Sequence, residues 1–165
     1  GPVIELLPIG PAIEARPWRQ PEEPAEHGPH VAQVLHVRDH GGRPEPVEAR
    51  ALAQEPWILL LDEPTAHLDI SHQVKILDLI KRLNKEYGLT VVIVLHDLNL
   101  ASEYCDRLVL MDKGTIRKTG TPQEVLNYAD IEEVYKTVVI VEKNPVSLKP
   151  FIIVVSEEVK NNCRR

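Results

Sequence analysis

Short apolar runs of strand length alternate with stretches whose apolar residues recur at helical spacing. Trp57 to Leu61 is continuously apolar and reads as a buried strand. Ser71 is the expected N-cap of a helix running to about Tyr87, with Val74, Leu77 and Ile80 on one face and Gly88 as its stop. Thr90 to Leu95 is a second buried strand, after which Asp97 caps a short helix through Tyr104. Arg107 to Met111 and Thr115 to Lys118 pair as strands across a Lys113-Gly114 turn. Thr121-Pro122-Gln123-Glu124 spells a capping box with proline at the first helical position. Asp130 with Glu133 predicts the start of another helix that ends near Lys136. Val138 to Val141 and Phe151 to Val155 are two further strands joined across Asn144-Pro145. Strands alternating with helices imply an α/β fold with a mostly parallel sheet, flanking helices and a small C-terminal β addition.

The pattern before this region is different. Residues 1–50 contain no Lys, Ser, Thr, Asn, Phe, Tyr or Cys, yet hold nine of the 14 prolines and four of the seven histidines. The prolines interrupt most windows long enough for a helix. Only Val31 to Arg38 is a clean candidate for an ordered element, either strand or short helix. The expected organisation is a Pro-rich segment of unrelated composition over 1–48, an α/β part over 49–160 and a tail over 161–165. A fusion, an out-of-frame junction or a replaced upstream half are all open explanations. The leading Gly1-Pro2 without a methionine fits a processed recombinant product.

Composition narrows the function classes. The 165 residues are 43% hydrophobic and 27% charged, as in a soluble globular protein with a sizeable core. The formal charge of −6 argues against a nucleic-acid partner, which needs clustered Lys and Arg. No apolar run approaches the roughly 20 residues of a membrane span, so direct insertion is not expected. No signal peptide is expected either. Cys105 and Cys163 form no CxxC pair, which fits a reduced compartment better than a disulfide framework. His27, His30, His36 and His40 match no compact zinc spacing, and incidental histidines are the simpler reading. Lys81, Arg82 and Lys85, with Asp78 and Glu86, read as a solvated helix face.

Candidate chemistry gathers where the apolar runs stop. The first ends in two carboxylates, Asp62 and Glu63. A buried strand that delivers carboxylates at its C-terminal end puts them at the mouth of a parallel sheet, where ligands of open α/β sheets bind. One carboxylate there can hold Mg²⁺, and the next can orient or deprotonate a water. Taken bare, the same pattern is an ordinary strand ending in a solvated acidic turn. His96 follows the apolar run of the second strand, where a histidine can equally make a local hydrogen bond. Asp69 is an ordinary N-cap candidate for the helix after it.

Longer runs of text favour the functional alternative. Trp57 to Asp69 reads WILLLDEPTAHLD, preceded by ARALAQEP from Ala49 to Pro56, and Val91 to Asp97 reads VVIVLHD. Together these resemble the Walker B strand, D-loop and switch-histidine strand of ATP-binding-cassette (ABC) transporter ATPases. From about 49 to 160 the chain resembles the C-terminal half of such an ATPase. HLDISHQ after DEPT and the Asn144-Pro145 tail suggest the iron-siderophore, haem and cobalamin importer type. The resemblance implies a partial P-loop NTPase core, with ATP and Mg²⁺ as cofactors. It gives Asp62 the metal, Glu63 the water, His96 the γ-phosphate, and Asp69 a D-loop place across a dimer interface. It also implies a membrane permease as partner, self-association, and a cytoplasmic location at the inner face of the membrane.

Other parts of the family pattern are missing. No GxxxxGK[ST] phosphate loop occurs, no Q-loop is found, and Gly41-Gly42 follows His40 rather than the serine of the family's LSGGQ signature. Without backbone N–H groups and a lysine to cradle a triphosphate, the chain alone is expected to be inactive. The rival expectation is a non-catalytic interaction or dimerisation module derived from such an ATPase. A parallel sheet stripped of its N-terminal strands would expose an edge, which either Val31 to Val37 covers or an oligomer does.

Overall fold

A computed structural model of the chain describes residues 3–6, 31–35, 58–156 and 158–159. The four histidines from His27 to His40, the Gly41-Gly42 pair, ARALAQEP, Trp57 and Cys163 lie outside the described residues. The chain divides into two compact units, one spanning Pro8–Val94 and one formed by Gly1–Leu7 with Leu95–Arg165.

In the first unit, β2 (Val31–Leu35), β3 (Ile58–Asp62) and β4 (Thr90–Leu95) form a parallel ladder in that order, with the last residue of β4 already in the other unit. Val31 to Leu35 is thus a strand, and it covers an edge of β3. The register pairs Leu59 with Val91 and Leu61 with Ile93. All four are buried, as the two-residue period of a strand places them on one face. Asp62 pairs with Val94 and leaves from the other, half-buried face.

Helix α1 (Ile70–Tyr87) buries Leu77 and Ile80, while Val74 is half-buried. Its N-cap is Asp69, not Ser71: Asp69 has extended backbone and its carboxylate takes the His72 N–H. The helix stops at Gly88, whose φ of 65° suits a residue without a Cβ. Asn84 fastens this stop by donating to the Leu89 carbonyl at 2.5 Å.

In the second unit, β1 (Val3–Leu6) pairs antiparallel with β5 (Leu108–Asp112), which pairs antiparallel with β6 (Thr115–Gly120). The proline spacing concealed β1, because its ladder partner lies a hundred residues away in sequence. Helix α2 (Leu98–Tyr104) is capped by Asp97 as expected. Helix α3 (Pro122–Val125) carries the capping box of Thr121 and Glu124. Helix α4 (Tyr128–Tyr135) starts three residues earlier than Asp130 suggests, because Asn127 is its N-cap. The Asp130 carboxylate is engaged instead by Lys118 at 2.5 Å and by the Asn127 amide. A separate antiparallel pair, β7 (Val139–Lys143) and β8 (Pro150–Val154), closes the described chain as a small β addition. Leu95, Leu108, Leu110, Leu126 and Ile131 are the largest fully buried side chains of this unit.

Candidate functional site

The sheet and α1 place three of the sequence-derived candidates in one local frame. Asp62 is the last residue of β3 and Glu63 the first beyond it, both half-buried. Glu63 has φ 49° and His67 has φ 63°, the left-handed region that costs a residue with a Cβ about 1 kcal/mol or more. Between them the chain turns tightly: the Ala66 N–H donates to the Glu63 carbonyl at 3.0 Å. Pro64 is fully buried and Thr65 is buried, which anchors the turn. Two donors converge on the Thr65 carbonyl, the Leu68 N–H at 3.4 Å and the Gln73 side chain at 3.2 Å. The turn is therefore held from both ends, and Glu63 occupies a strained backbone position at a strand terminus, where functional residues concentrate.

Asp69 closes this frame at the head of α1. Its Oδ1 accepts the His72 N–H at 2.9 Å, and its Oδ2 lies 2.9 Å from His72 Nδ1. The backbone bond from His72, and then its side chain, hold the exposed Asp69 carboxyl below the ordinary 3.8. His72 escaped the sequence reading, although an Asp followed three residues on by His is the spacing of a cap and its side-chain partner. Both readings of Asp69 begin from this cap, so its D-loop role is carried by resemblance and not by geometry.

His96 is the first residue after β4 and is exposed. It belongs to the second unit, where Asp97 follows and caps α2 by accepting the Asn99 and Leu100 N–H groups at 2.8 and 3.0 Å. Among the described residues no three His, Cys, Asp or Glu side chains converge in a metal-binding group. Asp62 could therefore offer a cation one hard carboxylate. That suits Mg²⁺, which keeps several waters and takes one or two carboxylates plus substrate phosphates. Cys105 is buried at the end of α2, where its backbone N–H donates to the Ala101 carbonyl. No helix among the described residues is long and apolar enough to cross a membrane.

Comparisons with known proteins agree on one family. No protein-family model matches the chain. The petrobactin import ATP-binding protein FpuC of Bacillus anthracis is 42% identical over 103 residues, 62% of this chain and 38% of that protein. The ferric enterobactin transport ATP-binding protein FepC of Escherichia coli is 37% identical over 144 residues, 82% of this chain and 53% of that protein. The hemin import ATP-binding protein HmuV of Photobacterium damsela subsp. piscicida is 41% identical over 130 residues, 75% of this chain and 49% of that protein. The chain thus spans between about a third and a half of these curated relatives. Among solved structures, a metal-chelate type ABC transporter in an inward-facing conformation superposes with a TM-score of 0.62 at 23% identity, covering 68% of this chain and 46% of that one. That likeness supports the fold, an ABC-type P-loop ATPase core in part.

Proposed function

We propose, from the chain's similarity to the ABC-type ATP-binding proteins of iron-siderophore and haem import, that residues 49–160 are the Walker B, D-loop and switch-histidine portion of an import ATPase. The observation that carries this reading is the β3 terminus: a strand of a parallel ladder ends in Asp62 and Glu63, and a strained, doubly anchored turn leads directly to the Asp69 cap.

In this reading Asp62 holds Mg²⁺ beside the nucleotide phosphates, the ion supplying charge stabilisation when bound. Glu63 accepts a proton from the attacking water or orients it, His96 contacts the γ-phosphate, and Asp69 reaches toward a second subunit. Phosphoryl transfer rests on positioning and charge rather than covalent chemistry, so a carboxylate on a rigid turn suits the work. The partner is a permease at the cytoplasmic face of a membrane, and a second copy completes the ATP site. Uptake of a metal chelate is the corresponding transport class.

The 165 residues contain no GxxxxGK[ST] stretch, so by themselves they hydrolyse no ATP in this reading. Calorimetry with MgATP on the purified chain and on Glu63→Gln tests that point, and micromolar binding strengthened in the variant would overturn it. The residue roles are tested by replacing the matching segment of the enterobactin relative with residues 49–160. The chimera is expected to hydrolyse MgATP, with Glu63→Gln lowering kcat by about 100-fold or more. A folded, active chimera indifferent to Glu63 would sink the assignment. The missing phosphate loop also favours a second reading, a non-catalytic dimerisation module; a stable dimer with no MgATP binding in either chain or chimera would support it.

A further inference from the structure

Helix α2 has seven residues, too few to hold a direction by its own hydrogen bonds. It is held instead by the C-terminal hairpin. Asn99 Oδ1 accepts the Ile152 N–H at 2.7 Å, and Asn99 Nδ2 donates to the Ile152 carbonyl at 3.2 Å. Along an antiparallel strand, alternate residues turn both backbone groups away from their partner strand. Ile152 is such a residue on β8, and the Asn99 amide takes the place of a further strand on that edge. One turn on, Ser102 donates to the Pro150 carbonyl at 2.7 Å, the next outward-facing residue. Ser147 donates to the Glu103 carboxylate at 2.7 Å, and Lys149 donates to the Glu103 carbonyl at 2.5 Å. Every one of these bonds spans more than forty residues of sequence.

The other end of this tether is the Asp97 cap. The Asn99 N–H donates to Asp97 Oδ1 at 2.8 Å, so Asn99 faces the cap with its backbone and the hairpin with its side chain. His96 is one peptide bond before that cap. We propose that Asn99 is a positioning residue for His96, fixing the cap that carries the histidine to the β8 edge; the proposal rests on His96 being the γ-phosphate contact. Asn99 does not touch the reacting atoms. The amide pair fixes to the β8 edge the helix start whose Asp97 cap follows His96 directly in the chain.

The test uses the whole chain without nucleotide, labelled with ¹³C in its histidine rings, with the His96 signal assigned from His96→Gln. Asn99→Ala is expected to shift and broaden the His96 Cε1–H resonance while His67 and His72 stay in place. Exchange of the Ile152 amide should quicken by about tenfold, as for the loss of one hydrogen bond. Asn99→Asp keeps the acceptor for the Ile152 N–H and should restore the His96 signal in part. Ser102→Ala, which loosens the same helix one turn away, serves if Asn99→Ala does not fold, and should move the His96 resonance in the same direction. Faster Ile152 exchange with an unmoved His96 signal would overturn the proposal, since Asn99 would then only stabilise the hairpin. This readout needs no ATP. Failure of the MgATP chimera would count against the functional reading alone, and an unmoved His96 against the tether alone.

Discussion

Asp69 holds His72 twice, through the backbone N–H on Oδ1 and the imidazole Nδ1 opposite Oδ2, each at 2.9 Å. This pair joins the turn that carries Glu63 to the first turn of α1, and its stability depends on the charge of the carboxylate.

Acid should therefore loosen the head of α1. The His72 backbone bond, then its side-chain bond, lower the Asp69 pKa from 3.8. A depressed carboxyl contributes stability that is present above the unfolded value and lost as pH falls through the folded one. Protection of the His72 amide from exchange is expected to hold above 3.8 and to decline below it. Asp69→Ala should lower that protection at every pH and flatten its pH dependence.

Alkali should act at Tyr135. Burial pushes its hydroxyl from 10.0 up to about 12. The neutral phenol thus contributes stability that is complete below 10.0 and lost as pH rises toward 12. Absorbance at alkaline pH should show a late tyrosine component, absent from Tyr135→Phe.

Removing the Asn84 side chain should cost more than its size suggests. Its amide satisfies the Leu89 carbonyl at 2.5 Å, and Asn84 is 7% exposed. Asn84→Ala leaves that carbonyl without this donor, an expected loss of about 1–3 kcal/mol by urea denaturation. Leu77→Ala, at a side chain only 1% exposed, should cost about 2–5 kcal/mol by opening a cavity in α1's buried face.

Gly88→Ala should also destabilise, though nothing lies within 4 Å of an added Cβ. The penalty comes from the backbone alone, because φ is 65° there, and should be about 1 kcal/mol with an unchanged denaturant slope.

Several elements were legible because their signals are local. The apolar run of β4 gave its two ends, Gly88 marked the end of α1, and the Thr121 capping box and the Asp97 cap stand where the residues spell them. The carboxylates at the end of β3 and the histidine after β4 were likewise readable as text, since a parallel strand must release its chain at the end where ligands bind. Their local geometry was not: the left-handed backbone of Glu63 follows from a turn fixed by buried Pro64 and Thr65.

By itself the sequence determined which segments become strands and helices after residue 57, the resemblance to ABC transporter ATPases, and the candidate residues Asp62, Glu63, Asp69 and His96. Tertiary structure decided between competing caps, choosing Asp69 over Ser71 and Asn127 over Asp130, whose carboxylate Lys118 draws away. It also made strands of Val3–Leu6 and Val31–Leu35 and tied Asn99 to Ile152. The physical reason is the same in each case: a backbone or carboxylate group is satisfied by a partner distant in sequence, and local propensity carries no record of that partner.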